Sequence, residues 1–265
     1  MPLRIATWNI NSVRLRIDTV RRFIAGWSPD LLCLQETKAP DEHFPRAPLA
    51  ELGYRHALVH GMKAYNGVAI LSRLPFLAEE RRSWCEREDC RHGIVRISGG
   101  IELHNFYVPA GGDVADPEVN PKFAHKLRFL DETAAWFHAR PFDRRRKIIL
   151  VGDLNVAPLE TDVWSHKQML KVVSHTPVEV ERMGRLRASL GWVDAVRHFV
   201  PADQKLYSWW SYRAADWNAS DRGRRLDHIW VTPPLVRSLK DARILREVRG
   251  WNLPSDHVPV IVDLA

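Results

Sequence analysis

The stretch from Lys147 to Pro158, KIILVGDLNVAP, constrains this chain more than any other. Ile148, Ile149, Leu150 and Val151 make a short, mostly β-branched and wholly apolar run. Such a run reads as a strand buried on both faces, delivering whatever follows it to the edge of a core. Gly152 is expected to break the strand. Asp153 and Asn155 come next, one residue apart on an extended backbone, so that both side chains project to the same side of the strand's carboxyl end. Sites form at such positions, although Asp and Asn also cap and turn chains everywhere. The rest of the sequence has to decide between the two readings.

Leu3 to Asn9 alternates like a strand, and Ser12 to Trp27 places Val13, Ile17, Val20, Phe23, Ile24 and Trp27 at helical spacing. Ser12 is the expected N-cap, and Pro29 ends the helix before a second apolar strand, Leu31 to Gln35, with Glu36 at its carboxyl end. Further strands are expected at 55–59, 67–72, 93–97 and 101–108, punctuated by Gly, Pro and Asn. Pro121 to Ala139 is a helix with Phe123, Leu127, Leu130, Ala134 and Phe137 on one face, and the basic run Arg144 to Lys147 reads as a surface loop. Beyond the organising strand, Pro177 to Leu190 has helical spacing, and strands are expected at 207–212, 226–232 and 258–264. Numerous strands and few helices, mixing hairpins with helical crossovers, fit a layered α/β fold built on two packed sheets. No repeat or low-complexity linker divides the 265 residues, so one domain spanning 1–265 is expected.

Composition narrows the class. Hydrophobic residues make up 45% of the chain and there are 11 Trp, enough to fill a large core. No apolar run reaches the length of a membrane span and the N-terminus enters a strand pattern directly, which points to a cytoplasmic protein. Cys33, Cys85 and Cys90 have no zinc or disulfide spacing and read as reduced thiols. A net charge of +7 suggests a polyanionic partner, because basic surface displaces the counterions condensed on phosphate.

Several strand ends carry polar groups that a core would not tolerate: Asn9 and Asn11, Glu36, Asp153 and Asn155, Asp227, and the terminal cluster Ser255, Asp256, His257. Each alone is compatible with a cap or a turn, but their repetition at strand ends points to a site. Carboxylates and amides without clustered Cys or imidazole favour a hard cation such as magnesium, and hence phosphoryl chemistry.

Eight segments in order, TWNINSVR (7–14), LQETK (34–38), NGVAILS (66–72), NFYVPAGG (105–112), GDLNVAP (152–158), YSWWSYR (207–213), RRLDHIWVT (224–232) and PSDHVPV (254–260), make the chain resemble the exonuclease III family of AP endonucleases, within the endonuclease/exonuclease/phosphatase superfamily. The resemblance covers essentially the whole chain. It implies a four-layer α/β sandwich, two mixed sheets flanked by helices, and a Mg2+-dependent enzyme in which Mn2+ can substitute. It implies Glu36 as the principal metal ligand with Asn9 beside it. Asp153 is implied to activate the attacking water or handle the leaving-group proton, and Asn155 to donate to the transition state. His257, held by Asp227, would contact the phosphate, and Tyr107 would donate to the phosphate or stabilise the leaving oxygen. Asp256, with Asp153, Asn155 and His257, could hold a second or migrating ion.

The same resemblance implies duplex DNA with abasic sites or with blocked or recessed 3′ ends as partner, a monomeric state, and a bacterial, nucleoid-associated location. Trp209, Leu226 and the polar loop between them fall where the family builds its pocket for a flipped-out abasic sugar. One of Trp209 and Trp210 is expected to be ordinary core. Arg91, Lys122, Arg224 and Arg225 match positions beside the DNA, and Asn11 stands where animal-type members carry Asp, as in the bacterial type. Ala110 departs from the Asn or Gln of many relatives. The implied activity is hydrolysis 5′ to abasic sites with 3′-to-5′ exonuclease and 3′-end trimming. The rivals are a phosphatase or phosphodiesterase of the same superfamily acting on a non-DNA phosphoester, and a catalytically silent DNA-binding module.

Overall fold

The structure is a computed structural model and describes residues 2–140, 143 and 145–265. In chain order its strands are β1 (Leu3–Asn9), β2 (Leu31–Gln35), β3 (His56–His60), β4 (Val68–Ser72), β5 (Ala78–Trp84), β6 (Arg87–Ile97), β7 (Ile101–Tyr107), β8 (Lys147–Asp153), β9 (Val193–Asp194), β10 (Asp227–Val231), β11 (Leu239–Ile244) and β12 (Val260–Leu264). They form two six-stranded sheets, ordered β11-β12-β1-β2-β4-β3 and β5-β6-β7-β8-β10-β9. At the centre of each sheet lies a parallel pair, β1 with β2 and β7 with β8, with antiparallel neighbours around it. Parallel pairing demands a crossover, and a helix supplies it in both cases: Ile17–Trp27 in the first sheet, Pro121–His138 in the second.

Alternation along the strands makes the layers. Ile5, Cys33 and Ile70 of the first sheet meet Leu103, Ile149 and Ile229 of the second in a core between the sheets. On the outer faces, Val20, Phe23 and Ile24 of the first helix cover Ala6, Trp8, Leu32 and Leu34. Phe129, Leu130 and Phe137, with Met183 and Leu186 of the helix Pro177–Ala188, cover Phe106, Ile148, Leu150 and Trp230. Each fully buried side chain of this size contributes roughly 1.5–3 kcal/mol. The result is the expected four-layer sandwich, helix, sheet, sheet, helix. The three cysteines are free thiols, as read from the sequence.

The two sheets are also pinned by a polar bridge directly beneath their common carboxyl edge. Gln35 Nε2 donates to Thr7 Oγ1 (2.9 Å) and to Asn105 Oδ1 (2.7 Å), and Asn105 Nδ2 donates to the Leu34 and Ala69 carbonyls. All three side chains are buried, so each unmade bond would cost about 1–3 kcal/mol and the bridge fixes how the sheets register.

Several expectations are corrected. Gly152 does not break β8; the strand continues through Asp153, and Gly152 is there because a Cβ would lie 1.9 Å from the Phe106 carbonyl oxygen of the paired strand. Ser12 does not cap a helix: it turns at φ 84°, its N–H donates to the Glu36 carbonyl, and the helix begins at Ile17. Residues 207–212 form no strand, only isolated bridges from Trp209 to Arg224 and to His257. Strands β5, β9 and β11 escaped the sequence reading because they are edges: β5 (AEERRSW) and β11 (LKDARI) carry the exposed charges that keep edges from pairing with other chains, and β9 is two residues long. Of the basic run, Arg144 lies outside the described residues, Arg145 is exposed in a turn, and Lys147 already belongs to β8. Among the described residues, no helix is long and apolar enough to cross a membrane.

Candidate active site

The carboxyl ends of the two parallel pairs open on the same edge, and strand register decides what gathers there. Asn9 pairs with Gln35, which places Glu36 one step beyond it; Asp153 pairs with Tyr107 on one side and with Asp227 on the other. Asn9 bridges the sheets: its Nδ2 donates to Glu36 Oε1 and to Asp153 Oδ2, both at 2.9 Å, and its Oδ1 accepts from the Asn11 N–H. Tyr107 donates its hydroxyl to Glu36 Oε1 (2.9 Å), and Lys38 Nζ lies 2.9 Å from Glu36 Oε2. Glu36 and Lys38 both sit at positive φ, a tight loop that turns the two side chains toward each other.

Asp153 is held by the residue that follows it in the motif. The Asn155 N–H donates to Oδ1 (2.9 Å) and its Nδ2 donates to Oδ2 (3.1 Å) and to the Val108 carbonyl (2.9 Å). Both amide hydrogens are thus spent on Asp153 and the neighbouring loop, so Asn155 steadies the carboxylate here instead of presenting a free donor. His257 stands opposite, with Nδ1 2.8 Å from Asp227 Oδ2 and Nε2 3.7 Å from Asp153 Oδ2. Asp227 Oδ2 also accepts from Ser208 Oγ (2.7 Å), while Oδ1 is buried without a partner among the described residues. Asp256 accepts from Asn11 Nδ2 and from Trp209 Nε1 (2.9 Å), one ring of contacts away from Asp153.

Burial raises the proton affinity of Asp153, to about 7, with His257 opposing and Asp227 adding to the shift. For His257 burial works against the charged ring, but Asp227 and then Asp153 outweigh it and push the value up to about 10. The two titrate as a pair, and the ring between two carboxylates is the group that keeps its proton. With Nδ1 held by Asp227, His257 presents Nε2 toward Asp153 as the ring atom left for a ligand. Burial also opposes the charge on Glu36, yet the Asn9 hydrogen bond, Lys38 and His257 hold it below the ordinary carboxylate range. The Tyr107 hydroxyl is pushed well up by burial and by Glu36 and Asp153, so it stays a donor.

One ligand atom each from Asp153, Asp227 and His257 lie within 4.8 Å of one another. Oxygens of Asp153 and Asp227, with Glu36 alongside and the orphaned Asp227 Oδ1 among them, suit a hard divalent ion far better than a soft one.

The residues assigned to DNA divide sharply. Trp209 is half-buried and Trp210 is core, as expected for one of the two. Leu226 is buried beside Trp209 with Val163 and Met169, so it packs against the Trp209 ring and is not itself exposed to a ligand. The Arg224 guanidinium lies 4.9 Å over the Trp209 ring, with Nη1 donating to the Val173 carbonyl and Ser174 Oγ. Arg225 is corrected outright: it is 1% exposed and clamped between Asp162 and Asp194, out of reach of any ligand. Arg91 keeps 11% of its side chain exposed and is bonded to Asp89, Asn66 and the Tyr107 carbonyl, with its guanidinium against the Tyr107 ring. Lys122 is exposed at the start of its helix, and Asn11 is half-buried, taking the Lys38 ammonium (2.6 Å). Residues that the sequence reading missed are Lys38, Gln35, Asn105, Ser208 and Lys126; the legible signals are a Gln at the end of the otherwise apolar strand LLCLQ and a Lys on the apolar face of a helix.

Residues 6–257 match the Endonuclease/Exonuclease/phosphatase family. The chain is 30% identical to a Bacillus subtilis exodeoxyribonuclease over 97% of its own length and 98% of the relative's. Among solved structures it superposes on a 3′-5′ exonuclease, NExo, from Neisseria meningitidis with a TM-score of 0.90, 31% identity and 99% of each chain covered. It superposes equally on an AP endonuclease from Archaeoglobus fulgidus, with a TM-score of 0.90, 32% identity and 98% of each chain covered. With a common carboxyl edge that gathers Asn9, Glu36, Tyr107, Asp153, Asp227 and His257, the chain belongs to the endonuclease/exonuclease/phosphatase family, as a member of its exonuclease III type.

Proposed function

We propose that this protein is a Mg2+-dependent DNA repair nuclease that hydrolyses the phosphodiester 5′ to an abasic site and also removes nucleotides or blocking groups from 3′ ends. The observation that carries the reading is the Asp227–His257–Asp153 line set beside Glu36 at the shared sheet edge. The relatives support the substrate: the Neisseria protein, as an Asp-to-Asn variant, is a 3′ phosphatase bound to a product DNA hairpin, and the Archaeoglobus protein is an AP endonuclease.

Phosphodiester hydrolysis needs an in-line water, charge stabilisation on the phosphoryl oxygens and help for the leaving oxygen. His257, protonated and oriented by Asp227, donates from Nε2 to a non-bridging phosphate oxygen. Asp153, whose affinity for a proton near neutrality suits transfer in either direction, accepts the proton of the attacking water. Tyr107, a hydroxyl that keeps its proton, lies at the same edge for the leaving oxygen. Glu36, with Asp153 and Asp227, would hold the divalent ion, which supplies Lewis-acid neutralisation of phosphate charge. Asn9 keeps Glu36 and Asp153 at a fixed spacing from opposite sheets, the kind of positioning on which rate depends steeply. Trp209 under Arg224 offers an aromatic wall with a cationic rim, a surface suited to a base-free sugar flanked by phosphate.

The test is a turnover assay on four substrates: an abasic duplex, an undamaged recessed 3′ end, a 3′-phosphate end and a small phosphomonoester, each with Mg2+, with Mn2+ and with chelator. Cleavage of the abasic duplex and processing of 3′ ends, both lost with chelator, is the expected result. Hydrolysis of the small phosphomonoester alone would overturn it in favour of a non-DNA phosphatase.

A further inference from the structure

Lys126 is fully buried on the helix Pro121–His138, on the face that packs against the second sheet, and its ion-pair partner Glu179 is equally buried. An ammonium has three hydrogens to place, and here each goes to a different segment. Nζ donates to the Asn155 carbonyl (2.7 Å), reaches the Ala110 carbonyl at 3.3 Å, and pairs with Glu179 Oε1. Those carbonyls belong to the two loops that carry the site, the one after Tyr107 and the one holding Asp153 and Asn155. Glu179 in turn accepts from the Ser174 N–H (2.9 and 3.0 Å) and from the Thr176 N–H and hydroxyl, tying down the loop to which Arg224 is bonded. Gly111 closes against the Lys126 stem, where a Cβ would come within 2.9 Å of Cδ.

A buried charge is costly unless fully paired, and an apolar side chain would fill this helix position at less cost. Asn155 sits at φ 53°, a conformation that needs support, and it delivers two hydrogen bonds to Asp153. The Lys126 bond to its carbonyl supplies that support.

We propose that Lys126, with Glu179, is a positioning residue: it fixes the Asn155 backbone, and so the place of the Asp153 carboxylate, relative to the Tyr107 loop and to the Ser174 and Arg224 side of the pocket. The proposal rests on Asp153 being the proton-transfer group of the nuclease reading.

The test uses the full-length protein on the abasic duplex at saturating divalent metal. Lys126→Met combined with Glu179→Gln leaves no unpaired buried charge, and Lys126→Arg keeps the charge while moving the donors. A positioning role predicts that kcat of the neutral pair variant falls on the order of 10- to 100-fold, the scale of a misplacement of about 1 Å, with KM within about twofold and an unchanged circular dichroism spectrum. Placed in an Asp153→Asn background, the same pair of changes should cause no further loss in single-turnover rate. A kcat within about twofold of the wild type, or equal losses in both backgrounds, would overturn the proposal. Should the neutral variant fail to fold, Lys126→Arg decides: kcat lowered with KM kept supports the role, and kcat unchanged refutes it. Failure of the nuclease reading itself looks different, since the wild-type protein would then cleave none of the DNA substrates.

Discussion

Two residues apart at the start of β10, the chain uses buried charge in opposite ways. Arg225 forks onto Asp162 through Nε (2.8 Å) and Nη2 (3.1 Å) and reaches Asp194 through Nη1 (2.7 Å), and Arg197 adds a second cation on Asp162 (2.5 Å). Burial works against both carboxylates, but Arg225 outweighs it and holds each below its ordinary value. Asp227, by contrast, faces into the cluster of Asp153 and His257, where burial raises Asp153 and the one ring between two acids cannot compensate both. The first arrangement is balanced and serves the fold. The second leaves buried acid that its one ring does not balance, the kind of arrangement that clusters at functional sites.

The comparison breaks most visibly at Asp153. Asp153→Asn should lower kcat by at least about a thousandfold, the upper range for losing a proton-transfer group, while Tm stays level or rises because a poorly compensated buried charge has gone. Single-turnover rates and thermal melts on one preparation check both halves. A large drop in Tm would show that Asp153 belongs to the fold, as Arg225 does.

Arg225→Met should do the reverse. Removing one partner of a buried pair strands Asp162 and Asp194 and costs about 3–5 kcal/mol of stability. Because the side chain is out of reach of DNA, the salt dependence of DNA binding should not change. Chemical denaturation and a binding series across salt concentration measure the two quantities. A reduced salt slope in the folded variant would restore Arg225 to the DNA interface.

Acid sharpens the contrast. Asp162 and Asp194 titrate lower in the folded chain than in the unfolded one, so the stability they contribute is complete above the unfolded value of about 4 and is lost as pH falls below it toward the folded values. Melts from pH 6 to pH 3 should show a steep fall in Tm for the wild type and a shallower one for Arg225→Met. Parallel curves would mean that the clamp does not drive acid unfolding.

The smallest effects lie at the pocket rim. Trp209→Ala removes the aromatic platform under Arg224 and should reduce the preference for abasic over intact duplex without altering the salt slope, because it takes away an apolar wall and no charge. Lys122→Ala, an exposed cation, should lower that slope by roughly one and leave the preference alone. Cleavage of both substrates through a salt series reads both, and an unchanged preference in the Trp209 variant removes the pocket assignment.

How much of this could be read beforehand depends on where each residue's partner lies in the chain. Asn9, Glu36, Asp153, Asn155, Asp227 and His257 are legible because each stands at or beside the polar end of a strand, a signal contained within a few residues, whereas Tyr107 follows only from the family resemblance. Two packed sheets in a layered α/β fold are legible for the same reason, from periods of two and of about 3.6, and the four layers follow from the resemblance. Arg225 is misread because a basic residue in a polar segment looks available to a ligand until its acidic partners arrive, and Asp162 and Asp194 come from other segments.

The sequence by itself determined the kinds of groups and the strand ends on which they ride, since patterning and turn chemistry are local. Only the tertiary structure decided which of those groups share an edge, which charges are neutralised, and that Lys126 turns inward to hold two loops at once. The physical reason is that burial and pairing are properties of neighbours brought together across more than two hundred residues, as with Ser255 Oγ on the Asn9 carbonyl, and a charge acquires its role from that company.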